Sequence, residues 1–364
     1  MIKKIRIYSL FIDIRLPKHI GIIPIHFYIF LTEYHAITMT RCCSFILLLI
    51  LIAALCIAGC TSSQSIPSEK TIIADSQKIT ISGAFALYPM MVKWADEYQK
   101  IHPNVKIEVS AGGAGKGMTD ALTGMVDLGM VSRDISPEEI SKGAVYVAVT
   151  KDAVVPTVNV KNPVITDLQA HGINKSKFKS VFINETVTTW GGMVNRPDIT
   201  EKINVYTRSD ACGAADIWAK YLGYKQEDLK GVGVFGDPGL AGAVKMDRLG
   251  IGYNNIGFAY DVKTGMPIEG LAIVPLDLND NGRIDPDEQF YKNRNDITSA
   301  INTGKYPTPP AREENLVAKG SFSGPSRQFV QWILTDGQQY VQESGYIPLP
   351  KDKLELNLKK ISQI

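Results

Sequence analysis

Three times in this chain a short β-branched run is followed by a glycine-bearing turn and then an amphipathic helix, a repeat that restricts the fold more than any other feature. In the first, Ile79-Thr80-Ile81 alternates as a strand and Ser82-Gly83-Ala84-Phe85 forms the turn. Met91, Trp94 and Tyr98 then share one face of a helix that ends at Pro103. In the second, Val105, Ile107 and Val109 lead into Gly112-Gly113-Ala114-Gly115-Lys116-Gly117 and a helix bearing Met118, Leu122 and Met125. In the third, Ile203, Val205 and Thr207 lead into Arg208-Ser209-Asp210-Ala211-Cys212-Gly213 and a helix with Ile217, Trp218 and Tyr221. Strands alternating with helices in this way argue an α/β fold with largely parallel strands.

Each junction delivers unpaired backbone N–H groups and partial positive charge at a helix N-terminus, so several converging on one point make an anion site. The candidate contacts are Gly83, Ala84 and Phe85 in the first loop, Gly113, Ala114 and Gly115 in the second, and Arg208, Asp210, Cys212, Gly213 and Ala214 in the third. The second loop is not a nucleotide P-loop, because Ser110 and Gly117 stand where a glycine and a hydroxyl residue are needed. A plainer alternative is that Arg208 and Asp210 only pair to brace a lobe interface. Cys212 is either a small buried filler or a thiol acidified by its helix N-terminus.

The start of the chain places this domain outside the cytoplasm. Arg41 precedes an uninterrupted apolar stretch from Phe45 to Ala58, and Gly59-Cys60 closes it before Thr61-Ser62-Ser63. That order reads as a signal peptide ending at a lipidated Cys60. The stretch is short for the roughly 20 apolar residues of a membrane-spanning anchor, which is the alternative. Residues 1–38 precede a second methionine, Met39, where translation is expected to begin; 39–60 is then the lipoprotein signal and 61–76 a tether. The whole chain carries a net charge of +2, but Lys3, Lys4, Arg6, Arg15, Lys18 and Arg41 against Asp13 and Glu33 leave the remainder at about −2. A mildly acidic chain without a basic run gives no reason to expect nucleic acid. Only Cys212 remains in the folded part, so no internal disulfide and no cysteine zinc site can form there.

Residues 277–288 satisfy the twelve-residue calcium pattern in full. Asp277, Asn279, Asn281, Asp285 and a bidentate Glu288, with the Arg283 carbonyl, offer oxygens to a hard cation, and Gly282 permits the sharp turn. The preceding Leu271–Leu276 reads as a strand, so the loop is a strand-loop-helix insertion and the expected calcium is structural. The alternative is an acidic surface turn.

The chain resembles the substrate-binding proteins of phosphate ABC importers, a branch of the two-lobed periplasmic binding protein superfamily. The resemblance runs from about Lys78 to Pro350, through Tyr88-Pro89, Lys93-Trp94-Ala95-Asp96, Val126-Asp127-Leu128-Gly129 and Ser132-Arg133. It continues in Val187-Thr188-Thr189-Trp190, Arg208 to Gly213, Leu249-Gly250-Ile251-Gly252-Tyr253 and Gly345-Tyr346-Ile347-Pro348-Leu349-Pro350. The resemblance implies an α/β, two-lobed type 2 binding-protein fold with a hinge and an interlobe ligand cleft. Crossovers are expected near Thr150–Thr157 and Asp261–Ile273. The first lobe would then comprise 77–155 and 262–364, carrying the calcium loop, and the second 156–261.

The resemblance also implies a ligand, phosphate or a related tetrahedral oxyanion, and a partner, the permease of an ABC importer; a monomer tethered to the membrane by lipid is expected. Residue by residue, Arg208, Asp210 and Gly213 match the family's ligand loops. Where that family usually presents hydroxyls, this chain has Ala84, Ala86, Leu87, Ala114, Cys212 and Ala214, and the family's carboxylate after the third strand is matched by Ser132, with Arg133 beside it. Either Ser82, Ser110, Ser132, Ser209 and main-chain donors substitute, or the ligand is a different oxyanion, because each unmet hydrogen bond costs about 1–3 kcal/mol. His102 and His171 are the only histidines beyond the signal region and neither sits beside a nucleophile or catalytic carboxylate pair, so no enzyme is expected. An exported phosphoester hydrolase, or an anion sensor or scavenger uncoupled from transport, are the rival readings.

Overall fold

The computed structural model describes residues 77–363; the signal segment and Cys60 lie outside them. All three strand–turn–helix junctions form. Strands β1 (Gln77–Gly83) and β2 (Val105–Ala111) alternate between buried and exposed positions, which places Ile79, Ile81, Val105 and Ile107 under the helices Tyr88–Ile101 and Ala114–Thr123. The second helix stops at Gly124, which adopts a left-handed φ of 74°. Met125 therefore falls beyond the last turn and is 74% exposed, not part of the apolar face the sequence pattern gave it.

Seven further strands complete a nine-stranded sheet: β3 (Leu128–Val131), β4 (Ala144–Asn159), β5 (Asn204–Arg208), β6 (Val232–Val234), β7 (Gly250–Asn255), β8 (Leu271–Ile273) and β9 (Ala311–Lys319). The order is β2-β1-β3-β9-β4-β7-β5-β6, with β8 paired to β4. Pairing is parallel within each end of the sheet, β1 with β2 and β3, and β5 with β6 and β7. It is antiparallel in the middle, where β9 lies between β3 and β4. The sixteen-residue β4 serves both halves: Ala144–Ala153 pairs with β9 and Val154–Val158 with β7.

Two separate cores flank that middle. One gathers Trp94, Met91 and Tyr98 with Phe329 and Ile333 from the C-terminal part, and the other gathers Trp190, Phe178, Phe182, Trp218 and Tyr253. At roughly 1.5–3 kcal/mol for each large apolar side chain fully buried, each cluster has enough material to hold a lobe. One crossover falls within β4, which pairs with both β9 and β7. The second is β9, not Asp261–Ile273, which corrects the lobe boundaries. β8 pairs back onto the far half of β4, Thr157 opposite Ile273, and Tyr260, Phe290, Ile297 and Tyr306 pack into the second core. Residues 262 to about 310, including the loop 277–288, therefore belong to the second lobe. Among the described residues no helix is long and apolar enough to cross a membrane.

Candidate functional site around Arg208

The parallel strands end where the helices begin, and the glycines at these ends are required by close backbone contact. A Cβ on Gly213 would lie 2.1 Å from the Ser132 carbonyl oxygen and 2.2 Å from its Oγ. Gly113, at φ 92°, faces Asp210 and Ala211 across the cleft, and Gly115 N–H donates to Ala211 O at 3.0 Å. The structure thus brings the second and third loops and Ser132 together: Gly113 and Gly115 meet the Asp210–Cys212 segment, and Ser132 meets Gly213. Gly83 and Ala84 stand beside β3, where Ala84 N–H donates to Met130 O at 2.9 Å. Ala114, Gly213 and Ala214 open their helices, and among the described residues their N–H groups have no acceptor.

At the centre, Arg208 ends β5 with its side chain fully buried. Its Nε and Nη2 donate to the two oxygens of Asp210 at 2.8 and 2.6 Å, and Nη1 donates to Asp237 Oδ2 at 2.6 Å. The Phe85 ring covers the guanidinium, with its centroid 5.5 Å from Cζ. Burial opposes the guanidinium's charge, but Asp237 and Asp210 outweigh it and hold the pKa above the ordinary value. Three of five N–H donors are engaged, which leaves two for a ligand.

Asp237 was not legible as a site residue. It sits in the first turn of the helix Gly236–Met246, a fourth strand–glycine–helix junction after the very short β6, and that recurrence is the signal by which it could have been found. Its other oxygen accepts from Asn255 Nδ2 at 2.5 Å, and Asn255 Oδ1 accepts from Arg312 Nη2. Arg312 also pairs with Asp152 at 3.4 Å and Glu314 at 3.2 Å. A buried chain of polar groups therefore joins Arg208 to both crossover strands. Burial dominates its carboxyls, raising Asp237, taking Asp152 up to about 6 and Glu314 to about 8.

Other expectations change. Cys212 caps its helix through Sγ, which accepts from Ala215 N–H at 3.4 Å, and burial pushes the thiol up to about 12; it is not acidified. Arg133 is turned to Glu139 at 2.7 and 2.9 Å and braces the short helix Pro137–Ser141 rather than the cleft. Of the serines offered as replacement donors, Ser82 gives its hydroxyl to Asp120 at 2.6 Å and Ser110 reaches Ile81 O at 3.4 Å, so both are committed within their own lobe. Ser132 remains at the Gly213 contact, and Ser209 is exposed.

In the loop 277–288, buried Asp277 accepts from Asn281 and Gly282 N–H at 3.1 and 2.9 Å, and buried Glu288 accepts from Leu278 and Asp285 N–H at 2.8 and 3.0 Å. Asn279 and Asn281 turn their amide N–H groups to Asp285 Oδ2, and Arg283 Nε reaches Asp285 Oδ1 at 2.9 Å. Among the described residues no three His, Cys, Asp or Glu side chains converge as a metal cluster. The donor set suits a hard cation, but holding one requires the two asparagines to present their oxygens instead.

Two lobes sharing one sheet through β4 and β9, with an arginine and helix N-termini facing each other between them, define a two-lobed solute-binding fold. Residues 67–333 match the PBP superfamily domain, and the chain belongs to that superfamily. It is 26% identical to the phosphate-binding protein PstS of Methanocaldococcus jannaschii, covering 87% of this chain and 94% of that one, and 25% identical to the phosphate-binding protein PstS of Bacillus subtilis, covering 84% and 92%. Among solved structures, a phosphate ABC transporter substrate-binding protein from Clostridium perfringens superposes with TM-score 0.61 at 22% identity, covering 75% of this chain and all of that one. An ABC-type phosphate transport receptor from Vibrio cholerae gives 0.54 at 18% over the same shares.

Proposed function

We propose that this chain is the extracytoplasmic solute-binding component of an ABC importer and captures phosphate or a related tetrahedral oxyanion between its lobes. The observation that carries the reading is Arg208: a buried guanidinium with two uncommitted N–H donors, set among the unpaired N–H groups of Ala114, Gly213 and Ala214. These donors come from opposite lobes, so an anion that engages all of them favours the closed arrangement. The names of the relatives support phosphate as the ligand.

Isothermal titration with phosphate and sulfate tests the reading. Phosphate binding with one site per chain is expected; silence toward both anions would overturn it.

Two finer assignments belong to the same proposal. Membrane attachment through lipidated Cys60 rests on the apolar stretch before it, and mass spectrometry of the membrane-extracted protein should find a lipid-modified N-terminal cysteine at that position. Calcium binding by Asp277, Asn279, Asn281, Asp285, Glu288 and the Arg283 carbonyl rests on the completeness of the pattern and on the inward, buried carboxylates of Asp277 and Glu288. Anchored in the second lobe, such an ion would tie the loop to the strand before it.

A further inference from the structure

The turn after β1 sends one large apolar side chain across the cleft. Its backbone is fixed within the first lobe: Ala84 N–H donates to Met130 O at 2.9 Å, Tyr88 N–H donates to Ala84 O at 3.1 Å, and the Tyr346 hydroxyl donates to Ala86 O at 2.5 Å. Phe85 lies between these anchors, half-buried, and its ring reaches the second lobe, where it meets three partners. The Arg208 guanidinium lies over the ring, with Cζ 5.5 Å from the centroid. The Phe235 ring meets it edge to face, the centroids 5.9 Å apart and the planes at 85°. Gly236 leaves room for the tip of the ring, since a Cβ there would lie 3.2 Å from Phe85 Cζ.

All three contacts run from one lobe to the other, so hinge opening separates them. Neither Phe85 nor Phe235 belongs to either core, and Phe235 is 63% exposed, so the packing of this pair favours closure rather than the folding of a lobe. An edge-to-face aromatic pair contributes about a factor of 2 to 10 to an equilibrium constant beyond its buried area, and a cation over a ring adds a similar factor. The ring shields the guanidinium from water yet supplies no oxygen to it, so the two uncommitted N–H donors of Arg208 stay available to an anion.

We propose that Phe85 is the latch of lobe closure: carried by the first lobe and seated in a socket of Arg208, Phe235 and Gly236 in the second, it favours the shut cleft with or without an anion and governs how slowly a bound anion leaves. The inference rests on the solute-binding reading and assigns that site a residue that controls release. Capture takes place while the lobes are apart and the latch is disengaged, so association is set by Arg208 and the helix N-termini; escape requires the three contacts to break together. The latch also bears on the hydroxyls missing from the ligand loops. A ligand with fewer direct donors is still retained when packing between the lobes raises the population of the closed state.

The test measures inorganic phosphate association and release by stopped flow, and affinity by titration calorimetry, on the full chain and on Phe85→Ala, Phe235→Ala, their double variant and Phe235→Tyr, with small-angle scattering of the ligand-free parent and Phe85→Ala. Release should quicken about tenfold or more in Phe85→Ala and about threefold or more in Phe235→Ala, while association changes less than about twofold. The double variant should release about as fast as Phe85→Ala alone, because the two rings act as one unit, and Phe235→Tyr, which keeps the ring contact, should match the parent. Ligand-free Phe85→Ala should have a larger radius of gyration than the ligand-free parent. Unchanged release in Phe85→Ala, an equal radius, or tighter phosphate binding, which would make the ring a competitor of the anion, would each overturn the latch. Phosphate silent in the parent would remove the binding reading, and the ligand-free radii would then decide the latch by themselves.

Discussion

Asp237 Oδ2 lies 2.6 Å from Arg208 Nη1, so Arg208 is flanked by two carboxylates rather than one. An incoming anion meets a guanidinium already hydrogen-bonded on two sides. Asp237 therefore sets how strongly Arg208 attracts a dianion, and Asp210, whose Oδ1 also accepts from Gly236 N–H at 3.1 Å, ties it to the helix that carries Asp237.

Substituting these residues separates charge from scaffolding. Arg208→Ala should abolish oxyanion binding and leave buried Asp237 and half-buried Asp210 without their cation, at a cost of about 3–5 kcal/mol in stability. Asp237→Asn keeps an acceptor for Arg208 and removes one negative charge, so phosphate affinity should rise; titration calorimetry with parallel denaturant melts reads both. Unchanged phosphate affinity in Arg208→Ala would sink the assignment of the site.

The Gly213 contact makes a steric prediction. A methyl group there would meet Ser132 O at 2.1 Å, so Gly213→Ala should hold the lobes apart and weaken ligand binding without emptying either core. Small-angle scattering should show a larger radius for this variant in the presence of ligand; identical profiles would show that the contact does not govern closure.

Cys212 should be inert while folded. With burial pushing its thiol up to about 12, almost none is thiolate at pH 8. Iodoacetamide labelling should be negligible in buffer and complete in denaturant, and rapid labelling of the native protein would contradict the buried cap.

Stability should fall as pH rises from the acid range to about 8. Burial keeps Glu314 protonated in the fold until about pH 8, against about 4.3 for an unfolded glutamate. Between those values the folded state binds more protons than the unfolded one, so unfolding free energy decreases as pH rises. Asp152, raised to about 6, acts in the same direction. Glu314→Gln should flatten the decline between pH 5 and 8 in chemical denaturation curves; an unaltered slope would place the proton elsewhere.

Calcium should stabilise the chain by roughly 2–3 kcal/mol at a hundredfold excess over its Kd, and Glu288→Gln should erase that gain while changing the calcium-free melting temperature little. Equal melting temperatures of the parent protein with calcium and with chelator would leave the loop an acidic turn.

The alternation of strands and helices, the three glycine turns, Arg208 with Asp210 and the twelve-residue acidic loop were all legible in the sequence, because backbone periodicity, turn stereochemistry and helix N-termini are local properties. The tertiary structure alone decided the rest. β9 returns the chain to the first lobe because a strand's partner is set by sheet register, and no local pattern separates a crossover strand from another buried one. Arg312 and Asp152 meet from positions 160 residues apart, and Asp237 and Asn255 complete the link to Arg208. Whether a buried carboxyl is ionised, and whether a buried arginine is free for a ligand, depends on which groups the fold places within a few ångströms of it; that distance is a property of packing, which spacing along the chain does not encode.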